Sequence, residues 1–191
     1  MATSPLSTPP QETSSKSTYQ IDPAHTVVEF AVKHMMFSTV KGKFTSVSGE
    51  IVLDEANPTN SAVRASVDAA SVSTGDQNRD NHLRSPDFFD VEKHPTITYV
   101  STSIRPAGKA DAYQVVGDLT MHGITNEVVF EASHLGTGKD PWGGTRAGIT
   151  ATATINRKDW GLNWNAPLEA GGVLVSDQVK ITLDIESVIK G

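Results

Sequence analysis

Six histidines, at positions 25, 34, 82, 94, 122 and 134, and the charged stretch Arg79–Asp90 hold most of the side chains here that could move a proton or bind a metal. Cysteine is absent, which removes thiolate nucleophiles, thiolate zinc sites and disulfides together. No two histidines stand at the spacing of a metal pair, and His-Glu-x-x-His does not occur. The expectation is no metal site, with the histidines hydrogen-bonded at strand ends; a zinc or iron site assembled from distant strands is the alternative. No serine occupies a Gly-x-Ser-x-Gly elbow. Gly136-Thr137-Gly138-Lys139 falls short of a phosphate loop, because Asp140 stands where Ser or Thr is needed and Ser133 where the first glycine belongs. That segment reads as a hairpin turn.

Within Arg79–Asp90, His82 could form an acid–base pair with Asp80 or Asp87. Residues two apart on a helix do not face one another, so the first pairing is poor. The charges are better suited to tying a short helix to neighbouring strands. Asp76 can cap that helix and Pro86 ends it, since the residue before a proline avoids the α region. With Leu83, Phe88 and Phe89 on its apolar edge, the segment suits a plug across the end of a sheet with a greasy interior.

The elements that must position these residues are strands. Val28, Phe30, Val32 and His34 share one face, with Glu29 and Lys33 on the other. An apolar corner, Met35-Met36-Phe37, follows. Phe44 and the set Val47, Gly49, Ile51 and Leu53 differ in phase, which predicts a bulge near Ser46 to Gly49. Further alternation puts Val63, Ala65, Val67 and Ala69 together, then Ile97 with Tyr99, then Tyr113, Val115, Gly117, Leu119 and Met121. Val128, Phe130 and Ala132 share a face, as do Ile149, Ala151, Ala153 and Ile155, and finally Val179, Ile181, Leu183 and Ile185.

About eight strands joined mostly by turns, with one short helix, predict an all-β fold: an antiparallel sheet closed into an extended barrel. Several runs exceed ten residues, roughly twice the usual strand length, which favours a barrel over a sandwich. Strands tilted near 40° would wall a tube roughly 25–35 Å tall. The small inward residues Ala65, Ala69, Ala132, Ala151, Ala153 and Gly117 leave room that Leu or Phe would have filled. A long, narrow apolar cavity is the expectation. Its ligand contacts would come from the inward Val28, Phe30, Val32, His34, Phe44, Val67, Ile97, Tyr99, Leu119, Met121, Phe130, Ile149, Ala151, Ile181 and Leu183. Met36, Phe37, Phe88, Phe89 and Trp160, in the connections, would add a soft rim.

Bulk properties bound the rest. The 191 residues, 37% apolar, suit one domain over about 18–191, preceded by a Ser/Thr/Pro-rich tail at 1–17 expected to be disordered. A net charge of −6 argues against nucleic acid as a partner, and no run is apolar enough to cross a bilayer. The first residues lack the basic start and apolar centre of a secretory signal, so a cytoplasmic location is expected.

Several motifs together resemble the YceI-like family. They are Tyr19-Gln20-Ile21-Asp22-Pro23-Ala24-His25-Thr26, Val32-Lys33-His34-Met35, Val40-Lys41-Gly42-Lys43-Phe44 and the whole Arg79–Asp90 stretch. Gly117-Asp118-Leu119-Thr120-Met121-His122-Gly123-Ile124-Thr125 and Ile155-Asn156-Arg157-Lys158-Asp159-Trp160-Gly161-Leu162 complete the set. The resemblance implies a lipocalin-like eight-stranded barrel that binds a polyisoprenoid lipid, of the isoprenoid quinone or polyprenyl phosphate type. It implies no catalytic residues and no cofactor, although such a ligand can co-purify. Many resembling proteins are exported, and they are often homodimers. The leading expectation is a non-enzymatic carrier. An enzyme using His34 or His82, and a protein-binding module using the Met35–Phe37 corner, are the alternatives.

Overall fold

Eleven strand segments make eight barrel strands, because three of the strands break midway. The computed structural model describes residues 16–169 and 171–190. In chain order the strands are β1 (Lys16–Ile21), β2 (Val27–His34), β3 (Ser38–Phe44), β4 (Val47–Asp54), β5 (Ala62–Asp68) and β6 (Val72–Ser73). Helix α1 (Gln77–Arg84) follows, then β7 (Thr96–Pro106), β8 (Ala112–Met121), β9 (Ile124–Lys139), β10 (Thr145–Asn156) and β11 (Val175–Ile189). Apart from Lys16 and Ser17, which open β1, the expected tail lies outside the described residues.

Each break has a local cause. Between β1 and β2, Pro23 lacks an N–H for a ladder, and the Asp22 carboxylate accepts from the Ala24 N–H at 3.0 Å. Between β3 and β4, the N–H groups of Thr45 and Ser46 donate to the Ser71 hydroxyl instead of a strand. The phase slip near Ser46 thus marks a break between two strands rather than a bulge within one. Between β5 and β6, Asp68 caps a 3-10 turn at Ala69–Ser71. The broken halves behave as single strands: β1 and β2 pair with β4 and β3, which pair in turn with β5 and β6.

From β7 to β11 the chain is a simple antiparallel meander, and β11 closes it by pairing with both β1 and β2. The result is a closed eight-stranded antiparallel barrel, which removes the free edges that invite aggregation. One gap remains in the wall. No ladder joins the two-residue β6 to β7, and α1 packs beside β6 there. Asp76 accepts from the Arg79 N–H at the helix start, and Ser85 ends the helix just before Pro86.

The charges of α1 are spent on anchoring. Asp80, buried, accepts from the Thr74 backbone N–H at 2.8 Å and from its hydroxyl at 2.6 Å. Arg84 donates to the carbonyls of Ala70 and Val72. Phe88 and Phe89 then enter the core, Phe89 meeting Phe44 edge-on at 5.6 Å.

Gly136–Lys139 is strand rather than turn, because β9 extends to Lys139 along β10. The reversal comes at Asp140–Gly144, where the Asp140 carboxylate accepts from the N–H groups of Trp142 and Gly144. Among the described residues no helix is long and apolar enough to cross a membrane.

Candidate binding cavity

Alternation along each strand sends one row of side chains outward and the other into the barrel. In β9, for example, Val128, Phe130 and Ala132 are buried while Val129 and Glu131 are exposed. Inward rows this apolar would normally close into a core. Here they enclose a cavity of about 920 Å³ running between the two ends of the barrel. One end is bounded by His34, Arg79, His82 and Trp164, beside α1; the other by Glu55, Asp111, Tyr113 and His134.

The space comes from small residues, though not from all those expected. Ala65, Ala132 and Ala151 line it. Ala69 and Ala153 instead pack into the buried cluster. Gly117 opens no void, because a Cβ there would fall 2.6 Å from Tyr99 Cζ; the glycine makes room for that ring. Tyr99 stacks edge-on against Phe130 at 5.2 Å and donates its hydroxyl to the Val115 carbonyl at 2.9 Å. Burial pushes its pKa up, with Asp118 adding to the effect. The tyrosine therefore stays neutral, as an apolar wall requires. Gly42 likewise admits the Phe30 ring.

Of the residues expected at a ligand, Val28, Phe30, Val32, His34, Phe44 and Val67 line the cavity. So do Phe88, Phe89, Ile97, Tyr99, Leu119, Met121, Phe130, Ile149, Ala151, Ile181 and Leu183. Three lie elsewhere. Met35 and Met36 occupy the left-handed region, at φ 50° and 62°, in a tight β2–β3 turn. That turn throws Met36 and Phe37 outward, 68% and 87% exposed. Trp160 is buried in the wall, donating its indole N–H to the Leu119 carbonyl at 3.0 Å. Sequence reasoning missed Val40, Asp111 and Leu174 as wall residues. Val40 shares the phase of Phe44 and was within reach of the alternation argument. The others sit at strand ends or in connections, where no periodicity marks a facing side.

The two ends differ in charge. Beside α1, Arg79 donates from Nε to the Thr74 hydroxyl at 2.7 Å, and His82 donates from Nε2 to Asp87 at 2.8 Å. The His82 ring also packs edge-on against Phe88 and Trp164. Arg157, buried, holds the segment after β10 by donating to the carbonyls of Leu162, Trp164 and Ser176. Burial lowers its pKa and nearby Asp177 opposes that. Its Nη2 makes no hydrogen bond among the described residues. The far end presents Glu55 and Asp111, with a buried His134 Nε2 that likewise lacks a hydrogen bond among the described residues.

The YceI-like domain matches residues 19–187, nearly the whole described barrel. The chain belongs to the YceI-like family. A UPF0312 protein of Pseudomonas paraeruginosa is 38% identical over 172 residues, covering 89% of this chain and 86% of the relative. Among solved structures, Burkholderia cenocepacia BcnA superposes with a TM-score of 0.75 at 25% identity, covering 87% of this chain and 98% of that one. The Campylobacter jejuni YCEI protein gives 0.72 at 28%, covering 83% and 90%. A polyisoprenoid binding domain from Saccharophagus degradans, implicated in plant cell wall breakdown, gives 0.64 at 16%, covering 90% and 98%. At that identity the last likeness concerns the fold alone.

Proposed function

We propose that this protein binds a linear polyisoprenoid lipid inside its barrel and acts as a carrier or store rather than an enzyme. The observation that carries the reading is the elongated cavity of about 920 Å³, walled by apolar strand faces from end to end. Burying one five-carbon isoprene unit is worth about 4 kcal/mol at ~0.8 kcal/mol per carbon. A few units would saturate any attainable affinity unless ordering and desolvation offset them. Such a wall selects by length and flexibility, with little polar recognition. The domain from Saccharophagus degradans, a barrel of the same fold, is itself a polyisoprenoid binding domain.

The ends suggest an orientation. Arg79, His82 and Arg157 favour a quinone carbonyl or phosphate beside α1, whereas Glu55 and Asp111 would repel an anion at the far end. Catalysis finds less support. His82 is committed to Asp87 and wedged between aromatic rings, and His34 makes no ion pair among the described residues. The exposed Met36 and Phe37 remain the surface through which a protein partner would act, but a cavity of this size is not needed for that role.

Native mass spectrometry of protein purified without delipidation tests the reading. The expected result is a co-purified lipid, or stoichiometric uptake of added isoprenoid quinone. A ligand-free barrel that also rejects the quinone would overturn it.

A further inference from the structure

Outside the cavity, three side chains converge that no lipid-binding role explains. Asp90, His94 and His122 each direct one donor atom so that the three atoms lie within 4.8 Å of one another. None of the three lines the cavity. We propose that they form a binding site for one divalent first-row metal ion, of the kind that two imidazoles and a carboxylate accept: zinc or ferrous iron.

The fold assembles this set from two remote stretches. Asp90 follows Phe89 in the segment after α1, and the His94 N–H donates to the Asp90 carbonyl at 2.8 Å, so a single turn brings both residues to one side. His122 comes from the reversal between β8 and β9. The imidazoles of His94 and His122 meet edge-on, with ring centroids 5.0 Å apart. Close approach depends on Gly123, since a Cβ there would lie 2.7 Å from His94 Cε1.

The hydrogen bonding prepares the donors. His122 Nδ1 lies 3.0 Å from the Trp160 carbonyl oxygen, which can only accept. The proton is therefore on Nδ1 and the lone pair on Nε2, which is the arrangement of metal-binding histidines oriented by an outer carbonyl. The His94 ring makes no hydrogen bond to the described residues, so one of its nitrogens is available to a metal. Asp90 is buried, with Lys93 as its ion-pair partner at 3.2 Å. That lysine is 73% exposed, so it can swing into solvent and yield the carboxylate.

A second grouping shows what a cluster without this preparation looks like. Asp22, His25 and Glu186 also lie within range of one another. There the Arg146 guanidinium already sits among the carboxylates, paired to Asp22 and Glu186. A cation is built in, and a second is not needed. Near Asp90 the described residues supply only a surface lysine as ion-pair partner. Three protein donors leave a coordination position for water, as in open zinc sites. A metal there would join the segment after α1 to the β8–β9 reversal, and through Trp160 to the buried wall.

The test uses the full chain without a histidine tag, stripped with chelator, then titrated with Zn²⁺ by calorimetry and with Co²⁺ by visible absorption. One ion per chain is expected, with cobalt bands of a low-coordinate site. His94→Gln and His122→Gln should each weaken binding by roughly tenfold or more, the scale on which even outer-shell changes act. His25→Gln should leave it unchanged. His94 sits at a half-exposed position, so that variant reads out even if His122→Gln folds poorly. No stoichiometric uptake by the unaltered chain, or uptake undiminished by His94→Gln, would overturn the proposal.

Discussion

The two ends of the barrel share the same strands and differ in nearly everything else. Beside α1, β6 is only two residues long and the helix packs next to it. Phe88 and Phe89 enter the core there, and the charged side chains lining the cavity are Arg79 and Arg157. At the far end the wall carries Glu55 and Asp111 instead; exposed apolar side chains stand at both rims, Trp142 there and Phe37 beside His34. The difference teaches that the meander makes a tube, while the interruption of one strand makes a tube with a direction. An inserted helix supplies a plug, a charge gradient and a place where chain segments converge.

Removing the plug should have the largest effect. Phe89→Ala deletes a buried ring that packs on Phe44, and should destabilise the protein by about 3–5 kcal/mol in chemical denaturation. Trp142→Ala, at the opposite rim, should change stability by less than about 0.5 kcal/mol. Equal losses at both positions would erase the contrast between a packed end and an open one.

Next comes the wall that both ends share. Ala151→Phe adds a ring where the inner face is small, and should reduce binding of isoprenoid quinone by more than about tenfold, which is 1.4 kcal/mol. Because the ring enters existing space, the fold should survive with a cost no larger than the roughly 1–3 kcal/mol of ordinary overpacking. Far-ultraviolet circular dichroism and a melting curve separate the two effects. Unchanged binding in a folded variant would place the ligand elsewhere.

The charge gradient predicts a smaller, opposed pair. Arg79→Gln should weaken binding of a polyprenyl phosphate several-fold, about 1 kcal/mol, with little effect on an uncharged analogue. Asp111→Asn should leave it unchanged or raise it slightly. Competition assays at low and high salt read both, and similar losses for charged and uncharged ligands would remove the assigned orientation.

The smallest effect concerns pH. Asp22 is held at a pKa of about 2, from an ordinary 3.8, first by its hydrogen bond to Arg146 and then by His25. Asp140, beside the same guanidinium, is also lowered. A carboxylate with a depressed folded-state pKa contributes stability above its unfolded pKa and loses it as pH falls toward the folded one. Stability should therefore decline between about pH 4 and pH 2, and Asp22→Asn should flatten part of that decline. An identical acid profile in the variant would show that the ion pairs contribute nothing.

How far the chain was legible depended on the kind of contact. The inward rows could be read directly, since successive strand side chains point to opposite faces and the apolar set therefore marks the inside. The break near Ser46 announced itself as a change of phase. The helix was visible through Asp76 and Pro86, and its charges were correctly assigned to anchoring. Failures fell where local pattern has no hold. Met36 and Phe37 look like neighbours of a lined face, yet the left-handed turn at Met35 and Met36 reverses them into solvent. Gly136–Lys139 carries turn residues but lies along a partner strand that keeps it extended.

Period-two patterning, capping chemistry and the absence of cysteine determined an antiparallel all-β fold with one short helix, because these depend only on near neighbours. Tertiary structure alone decided which small residues would enclose space. Ala151 faces the cavity, Ala153 is packed, and Gly117 is filled by Tyr99, although all share the same inward phase. It also brought His122 to Asp90 and His94. Contacts between remote positions are set by strand tilt and stagger on closing the barrel, and no short window of sequence contains either.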